Sequence, residues 1–218
     1  FCMFDGHLEN KGLISHKGTI VDATFVDAPR QRNSRDENKK IKNGVIPEGW
    51  EKPENKSKLA QKDIDADWTK KNGERHFGYK DHVKCDADSK LITNYSVTSA
   101  SVHDSQRCLV FIGQEDEVLY ADSAYSGKPI ALALPENCKN QICEKGYRNS
   151  PLTSEQKMNN RRKSRIRCRI EQIFGFMTGA MHGITIRSIG ITRAWMNIGI
   201  TNLVYNFCRY SYLKRASA

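Results

Sequence analysis

Three acidic residues stand where a carboxylate is costly. Asp22 interrupts the apolar run of "GTIVDATFVDAP", residues 18 to 29, where Ile20, Val21, Ala23 and Phe25 mark a buried strand. A lone carboxylate there must be paired, protonated or bound to a cation, unless it lies at an exposed strand edge. Asp122 ends a second apolar run in "YADSAY", and Glu171 lies in "RCRIEQIF". Three such carboxylates brought together would repel one another, and divalent metal is the natural remedy. Mg²⁺ prefers carboxylate oxygens, and two ions about 3.5–4 Å apart activate a nucleophile and stabilise a leaving oxygen in phosphoryl transfer. Spacing alone does not select this triple from 25 acidic residues.

The elements that must position these residues follow from hydrophobic periodicity. Residues 18–28 read as a first strand. Tyr79 to Cys85 and Leu91 to Thr98 read as a hairpin around the turn "DADSK". A short helix is expected after "SVHDS", then a strand from Val118 to Ala121 that ends at Asp122. Residues 135–156 carry Pro, Gly and Asn punctuation and read as irregular. From Ser154 the pattern is helical, with Ile166, Ile170, Ile173, Phe174 and Met177 on one face. Arg167, Glu171 and Thr178 form a stripe beside that face, so Glu171 is held at the rim of the core. A last helix is expected over about Trp195 to Tyr212. Residues 30–67 are polar and charged, and are expected to form a flexible basic insertion. The order of elements predicts an α/β fold, a mixed sheet with helices on its faces.

Four blocks, "IVDATFVDAPRQRN", "GYKDHVKCDADSKLITNYSVTSASVHDS", "LYADSAYSG" and "RCRIEQIFGFMTGAMHGITIRSIG", together resemble the DDE transposases of bacterial insertion sequences, most closely the insertion-sequence-five type. The resemblance runs in order over nearly the whole chain. It implies a ribonuclease-H-like catalytic domain over residues 18–212, followed by a tail, 213–218. It also implies two Mg²⁺ ions, with Mn²⁺ able to substitute, and DNA cleavage followed by strand transfer. Asp22, Asp122 and Glu171 fall on the catalytic, metal-binding carboxylates. Tyr125 matches the aromatic that follows the second Asp, and Arg167 the Arg four residues before the Glu. Related members place a Tyr and a Lys where this chain has Ser164 and Thr178, so that helix signature is incomplete. Members usually carry a helical N-terminal region that helps to bind transposon ends. With the first catalytic strand near residue 18, residues 1–17 are expected to be its remnant, and end recognition is expected to be poor. The competing expectations are a two-metal nuclease without strand transfer, and an inactive remnant that binds DNA non-specifically.

The stretch "KMNNRRKSRIRCR" holds Arg161, Arg162, Lys163, Arg165, Arg167 and Arg169 without an acid. These are expected to contact DNA phosphate, although a helix spreads them around its axis so that one groove cannot take them all. Arg167 is also placed to orient Glu171 through an i, i+4 pair. Lys80 and His82 share one strand face and point either to the cleft or to solvent. His103 and Asp104 follow the hairpin; they lie either near the scissile phosphate or, for Asp104, at a helix N-cap. Asp27, beside Pro29, reads as a turn residue rather than an alternative to Asp22. Trp68 and Trp195 read as core.

Composition bounds these readings. A net charge of +10 in 218 residues suggests a polyanionic partner, with nucleic acid the usual one. Seven cysteines, an odd number without a CxxC pair, read as reduced thiols of a cytoplasmic protein, and the resemblance implies a bacterial, nucleoid-associated one. The apolar stretch from Ile184 to Tyr212 is interrupted by Arg187, Arg193 and Asn197, which favours a buried helix over a membrane span. Transposases generally act as dimers or larger assemblies, so a homodimer is an expectation that only the resemblance supplies.

Overall fold

The computed structural model describes residues 1–71 and 73–216. In chain order these form α1 (Cys2–Asn10), β1 (Thr19–Asp27), α2 (Arg35–Lys42), α3 (Lys56–Ala60), β2 (Asp67–Lys71), β3 (Glu74–Asp86) and β4 (Ile92–Ser99). Then come α4 (Ser105–Phe111), β5 (Val118–Ala121), α5 (Lys128–Ala133), β6 (Lys139–Asn140), α6 (Ser154–Gly179) and α7 (Ile191–Ala216). The strands join into one mixed sheet flanked by helices.

The long strand β3 organises that sheet. One edge of β3 pairs antiparallel with all of β1, from Thr19 opposite Asp86 to Asp27 opposite Gly78. Its other edge takes β2 along its first half and β4 along its second. β5 then adds to β1 in parallel, and β6 to β5. Gly78 is required where β3 meets the end of β1. Its φ is +146°, and a Cβ there would strike the Val26 carbonyl.

Alternation along β1 sends its side chains to two cores. Ile20 faces Ile170, Ile173 and Met177 of α6, while Val21 packs with Cys108 and Phe111 of α4 and Ile130 of α5. Farther along β1, Val26 meets Ala194 and Ile198 of α7. Helices α6 and α7 therefore cover one face of the sheet, and α4 and α5 the other. Burial of Ile170, Ile173 and Met177 is worth about 1.5–3 kcal/mol each and fixes the rotation of α6 about its axis. A capping box sets where that helix begins: Thr153 accepts from Gln156 N, and the Gln156 side chain accepts from Thr153 N.

Segment 30–67 departs from the expectation of a flexible insertion. It contains α2, a 3₁₀ turn over Pro53–Asn55, and α3. Ser34 and Glu37 form a capping box for α2. Trp50 is buried, and its indole N–H donates to Glu37 at 3.0 Å. A few apolar anchors, Ile41, Trp50 and Ala66, are enough because the segment packs locally rather than building a core of its own. Strand β2 also lies where no strand was expected, because "DWTKK" has little alternation and is held by pairing with β3. Trp68 is half-buried, and Trp195 is 39% exposed rather than core. All seven cysteines are free thiols. No helix among the described residues is long and apolar enough to cross a membrane.

Candidate active site

Parallel pairing aligns two of the three carboxylates. Thr19, Ile20 and Val21 lie opposite Leu119, Tyr120 and Ala121, so the next position in this register sets Asp22 beside Asp122. Neighbouring strands are about 4.8 Å apart. β5 ends at this point, and Asp122 caps a 3₁₀ turn over Ser123–Tyr125 by accepting from Ser123 N at 2.6 Å. Asp22 accepts from Ala23 N at 2.8 Å. The third carboxylate arrives from above the sheet. Glu171 follows the buried Ile170 on α6, and the helical turn swings it out of the core to the rim.

Arg167 links the set. Its Nη1 lies 2.8 Å from Asp22 Oδ2, and its Nη2 lies 2.7 Å from Glu171 Oε1, one helical turn away. Burial raises the pKa of Asp22, and the like charge of Asp122 adds to this; the Ala23 N–H, Arg167 and Lys71 pull it back. Burial pulls Arg167 down, but Asp22, Glu171 and Asp122 outweigh it and hold the guanidinium above its ordinary value. Asp22, Asp122, Glu171 and Arg167 thus meet at one end of the sheet.

The donor set is all oxygen, as hard divalent cations require. Asp22, desolvated beside a like charge, is the kind of carboxylate that gains from a nearby cation. In this arrangement the guanidinium supplies the positive charge between Asp22 and Glu171. The set therefore fits a divalent cation in chemistry, with Arg167 as the group that shares its counter-charge role.

A different cluster has ligand atoms closer together. Among the described residues, His16, Glu115 and Asp116 offer atoms within 4.8 Å of one another. Sequence reasoning missed this cluster, and it already holds a cation. Lys84 Nζ lies 2.9 Å from Asp116 and 3.8 Å from Glu115. Asp116 also accepts from the Thr19 hydroxyl at 2.6 Å and from Gly113 N at 2.9 Å. Its acceptor capacity is largely used.

The accessory residues are corrected. Lys80 and His82 are buried, not solvent-facing, and they lie on the α4 face of the sheet, opposite the face that Asp22 presents to α6. Lys80 donates to Val102 O and to Asp104, each at 2.7 Å. Asp104 therefore holds Lys80 and makes no side-chain cap to α4. His103 does the local work there: its Nδ1 lies 2.8 Å from Ser105 Oγ and accepts from Ser105 N at 3.3 Å. The His82 ring meets Thr98 Oγ1 at 2.8 Å, and burial pushes its pKa down to about 4. Asp27 is exposed but is the last residue of β1, opposite Gly78, rather than a turn residue.

The basic residues of α6 divide into two groups. Lys163 donates to Ile142 O at 2.9 Å, Arg167 holds the carboxylates, and Arg169 donates to Ala87 O at 2.7 Å and pairs with Asp88. Arg161, Arg162 and Arg165 are exposed. Arg161 and Arg165 line a groove of about 600 Å³ with Lys157, Ser164 and Cys168. At 100° per residue, Lys157, Arg161 and Ser164 share the side of α6 that carries Glu171, with Arg165 at its border and Arg162 on the far side.

A family model described as "Transposase DDE domain" matches residues 14–207. The chain belongs to this transposase DDE domain family. A relative in Neisseria meningitidis serogroup B, "Transposase for insertion sequence element IS1106", is 30% identical over 182 residues, which cover 79% of this chain and 58% of that protein. The chain thus spans less than two thirds of that relative's length. No solved structure matches the chain.

Proposed function

We propose that this chain carries the catalytic unit of a DNA transposase, with Asp22, Asp122 and Glu171 as its catalytic carboxylates. The observation that carries the reading is the parallel register that sets Asp22 beside Asp122, with Arg167 tying Asp22 to a helical Glu171. A ribonuclease-H-like core over residues 18–212 is supported by the strand order β4-β3-β1-β5-β6. In that order the first two pairings are antiparallel and the last two parallel.

Two Mg²⁺ ions held by Asp22, Asp122 and Glu171 would supply an activated water and a counter-charge for the leaving oxygen. The protein's own residues do the rest. Arg167 is a positioning residue: it fixes the Glu171 carboxylate and neutralises charge between it and Asp22. Lys157, Arg161 and Arg165 draw phosphodiesters along α6 toward Glu171. Water adds to phosphorus, the bond to the 3′ oxygen breaks, and that oxygen leaves as a hydroxyl. The freed 3′-hydroxyl then attacks a phosphodiester of target DNA and releases a new 3′-hydroxyl. No protein side chain becomes covalently attached.

The test is Asp122→Asn, assayed on duplex DNA with Mg²⁺ or Mn²⁺. Cleavage is expected to fall at least about 10²-fold, while DNA affinity stays within about twofold of the parent in the absence of metal. Undiminished cleavage refutes the assignment. A pre-cut end separates the further outcomes: joined products mark a transposase, cleavage without joining a nuclease, and salt-sensitive binding without any product an inactive remnant. Gel shifts at physiological salt test the expected poor recognition of transposon ends.

A further inference from the structure

A second basic surface lies at the far end of β1. β5 pairs with β1 only as far as Val21, and the next partner on that edge is Thr185, opposite Asp27. From Asp22 to Val26 this edge of β1 therefore has no ladder partner among the described residues, and it leads from the carboxylates to the loop after the strand. Beyond it opens a cleft of about 560 Å³ lined by Arg30, Lys58, Lys62 and Arg187. Gln61 and Ser188 add neutral hydrogen-bonding groups.

The charge in this cleft is poorly balanced. Its single acidic lining residue, Asp63, is buried and accepts from the Tyr79 hydroxyl at 2.7 and 2.8 Å and from the N–H groups of Asp65 and Ala66. Lys58 pairs with Glu37 at 3.6 Å. Arg30, Lys62 and Arg187 have no acidic partner among the described residues. Lys62 donates to two neutral oxygens, Arg32 O and Asn33 Oδ1, and Arg30 lies 5.7 Å over the Trp68 ring. These cations come from three separate segments: the loop after β1, α3 with the turn after it, and the stretch before α7. Such an open basic surface suits an extended polyanion better than a small enclosed ligand.

We propose that this cleft is a second phosphodiester-binding site for duplex DNA, which it holds while the Asp22–Asp122 end acts. Six residue steps, along β1 and just past its end, separate Asp22 from Ala28, or about 20 Å at 3.3 Å per residue. That is about six base pairs of B-form DNA at 3.4 Å each. The proposal rests on the reading of this chain as a DNA-processing enzyme, and it adds where DNA flanking the reacting phosphate is gripped.

The test is the salt dependence of binding by the full chain to a duplex of about 24 base pairs, measured by fluorescence anisotropy without divalent metal. The parent is compared with Arg30→Gln/Arg187→Gln, both side chains being exposed. Two lost phosphate contacts are expected to reduce the slope of log K against log salt by about 1.8. An unchanged slope overturns the proposal. If the double variant is not folded by circular dichroism, Arg187→Gln alone is expected to reduce the slope by about 0.9. Displacement of the duplex by millimolar orthophosphate, with parent and variant equally salt-sensitive, marks a small-anion pocket and also overturns it. Repeating the comparison in an Asp122→Asn background keeps the two readings apart. Loss of cleavage there bears on the carboxylates, whereas the slope reports only the cleft.

Discussion

Asp22 and Asp116 are both acidic residues largely withdrawn from solvent, and their neighbourhoods differ in kind. Asp116 is 2% exposed in its side chain, and Lys84, at 8%, gives it an ammonium of its own. A hydroxyl and a backbone N–H complete its shell. Asp22 shares one guanidinium with Glu171, neighbours Asp122 just past the end of β5, and keeps 17% of its side chain open. The first arrangement is closed and structural. The second is held together but under-neutralised, which suits the cation and phosphate that the proposed function would bring to it. Closeness of acidic groups does not separate the two; the degree of compensation does.

Removing the compensating cation from each side sharpens this contrast. Lys84→Met leaves Asp116 buried without its charge partner and is expected to cost about 3–5 kcal/mol in urea unfolding. Arg167→Gln is expected to act on the reaction instead. Cleavage falls about 100-fold through misplacement of Glu171, with metal-free DNA affinity changed less than about threefold. Arg167→Lys does not restore it, because an ammonium cannot bridge two carboxylates as the planar fork does. Equal effects of the Lys84 and Arg167 variants on stability, with cleavage intact in both, would break the comparison.

A third carboxylate tests burial without any ion pair. Asp81 is fully buried with Asn202 as its side-chain partner, and burial lifts its pKa to about 7. The folded state therefore binds a proton that the unfolded chain releases near pH 4. The resulting stability is complete below pH 4 and is lost as pH rises to about 7, by at most about 1.4 kcal/mol per pH unit. His82 has the opposite sign. Its folded pKa near 4 lies below the ordinary value of 6.5, so its contribution is lost as pH falls from 6.5 to about 4. Thermal unfolding across this range is expected to be flattened by the opposition of the two. In Asp81→Asn it is expected to rise with pH between 4 and 6.5.

The smallest expected effects lie on α6. Arg161→Gln and Arg165→Gln should each lower the salt slope of DNA binding by about 0.9, whereas Lys163→Gln and Arg169→Gln, already engaged, should lower it little.

Where burial leaves a period in the sequence, the fold was legible. Val118–Ala121 and the start of α6 at Ser154 coincide with the strand and helix expected there. The hairpin also appears, though β3 begins at Glu74, because the polar "ERHF" is held by β2 rather than by its own alternation. β2 and α2 went unseen for the same reason: one tryptophan and one isoleucine carry them. Ser34 and Glu37, three residues apart before a charged run, were an available helix-start signal. Asp22, Asp122, Glu171 and Arg167 could be named from the four blocks that resemble the family. The division of the six basic residues of α6 into engaged and exposed groups could not, since it depends on carbonyls such as Ile142 O and Ala87 O brought in from distant segments. Lys80 and Lys84 were equally hidden. Their partners, Asp104 and Asp116, lie 24 and 32 residues away.

The guanidinium between Asp22 and Glu171 has a consequence for assembly. Proteins whose acidic sites are neutralised only by metal reach their native state when the ion arrives. Here the counter-ion is part of the chain and arrives with α6. On the proposed metal-dependent reading, a chelator is expected to abolish cleavage while leaving the melting temperature within about 1 °C of the untreated value. On the proposed reading, ion supply would govern when the chain cuts, and not whether it folds.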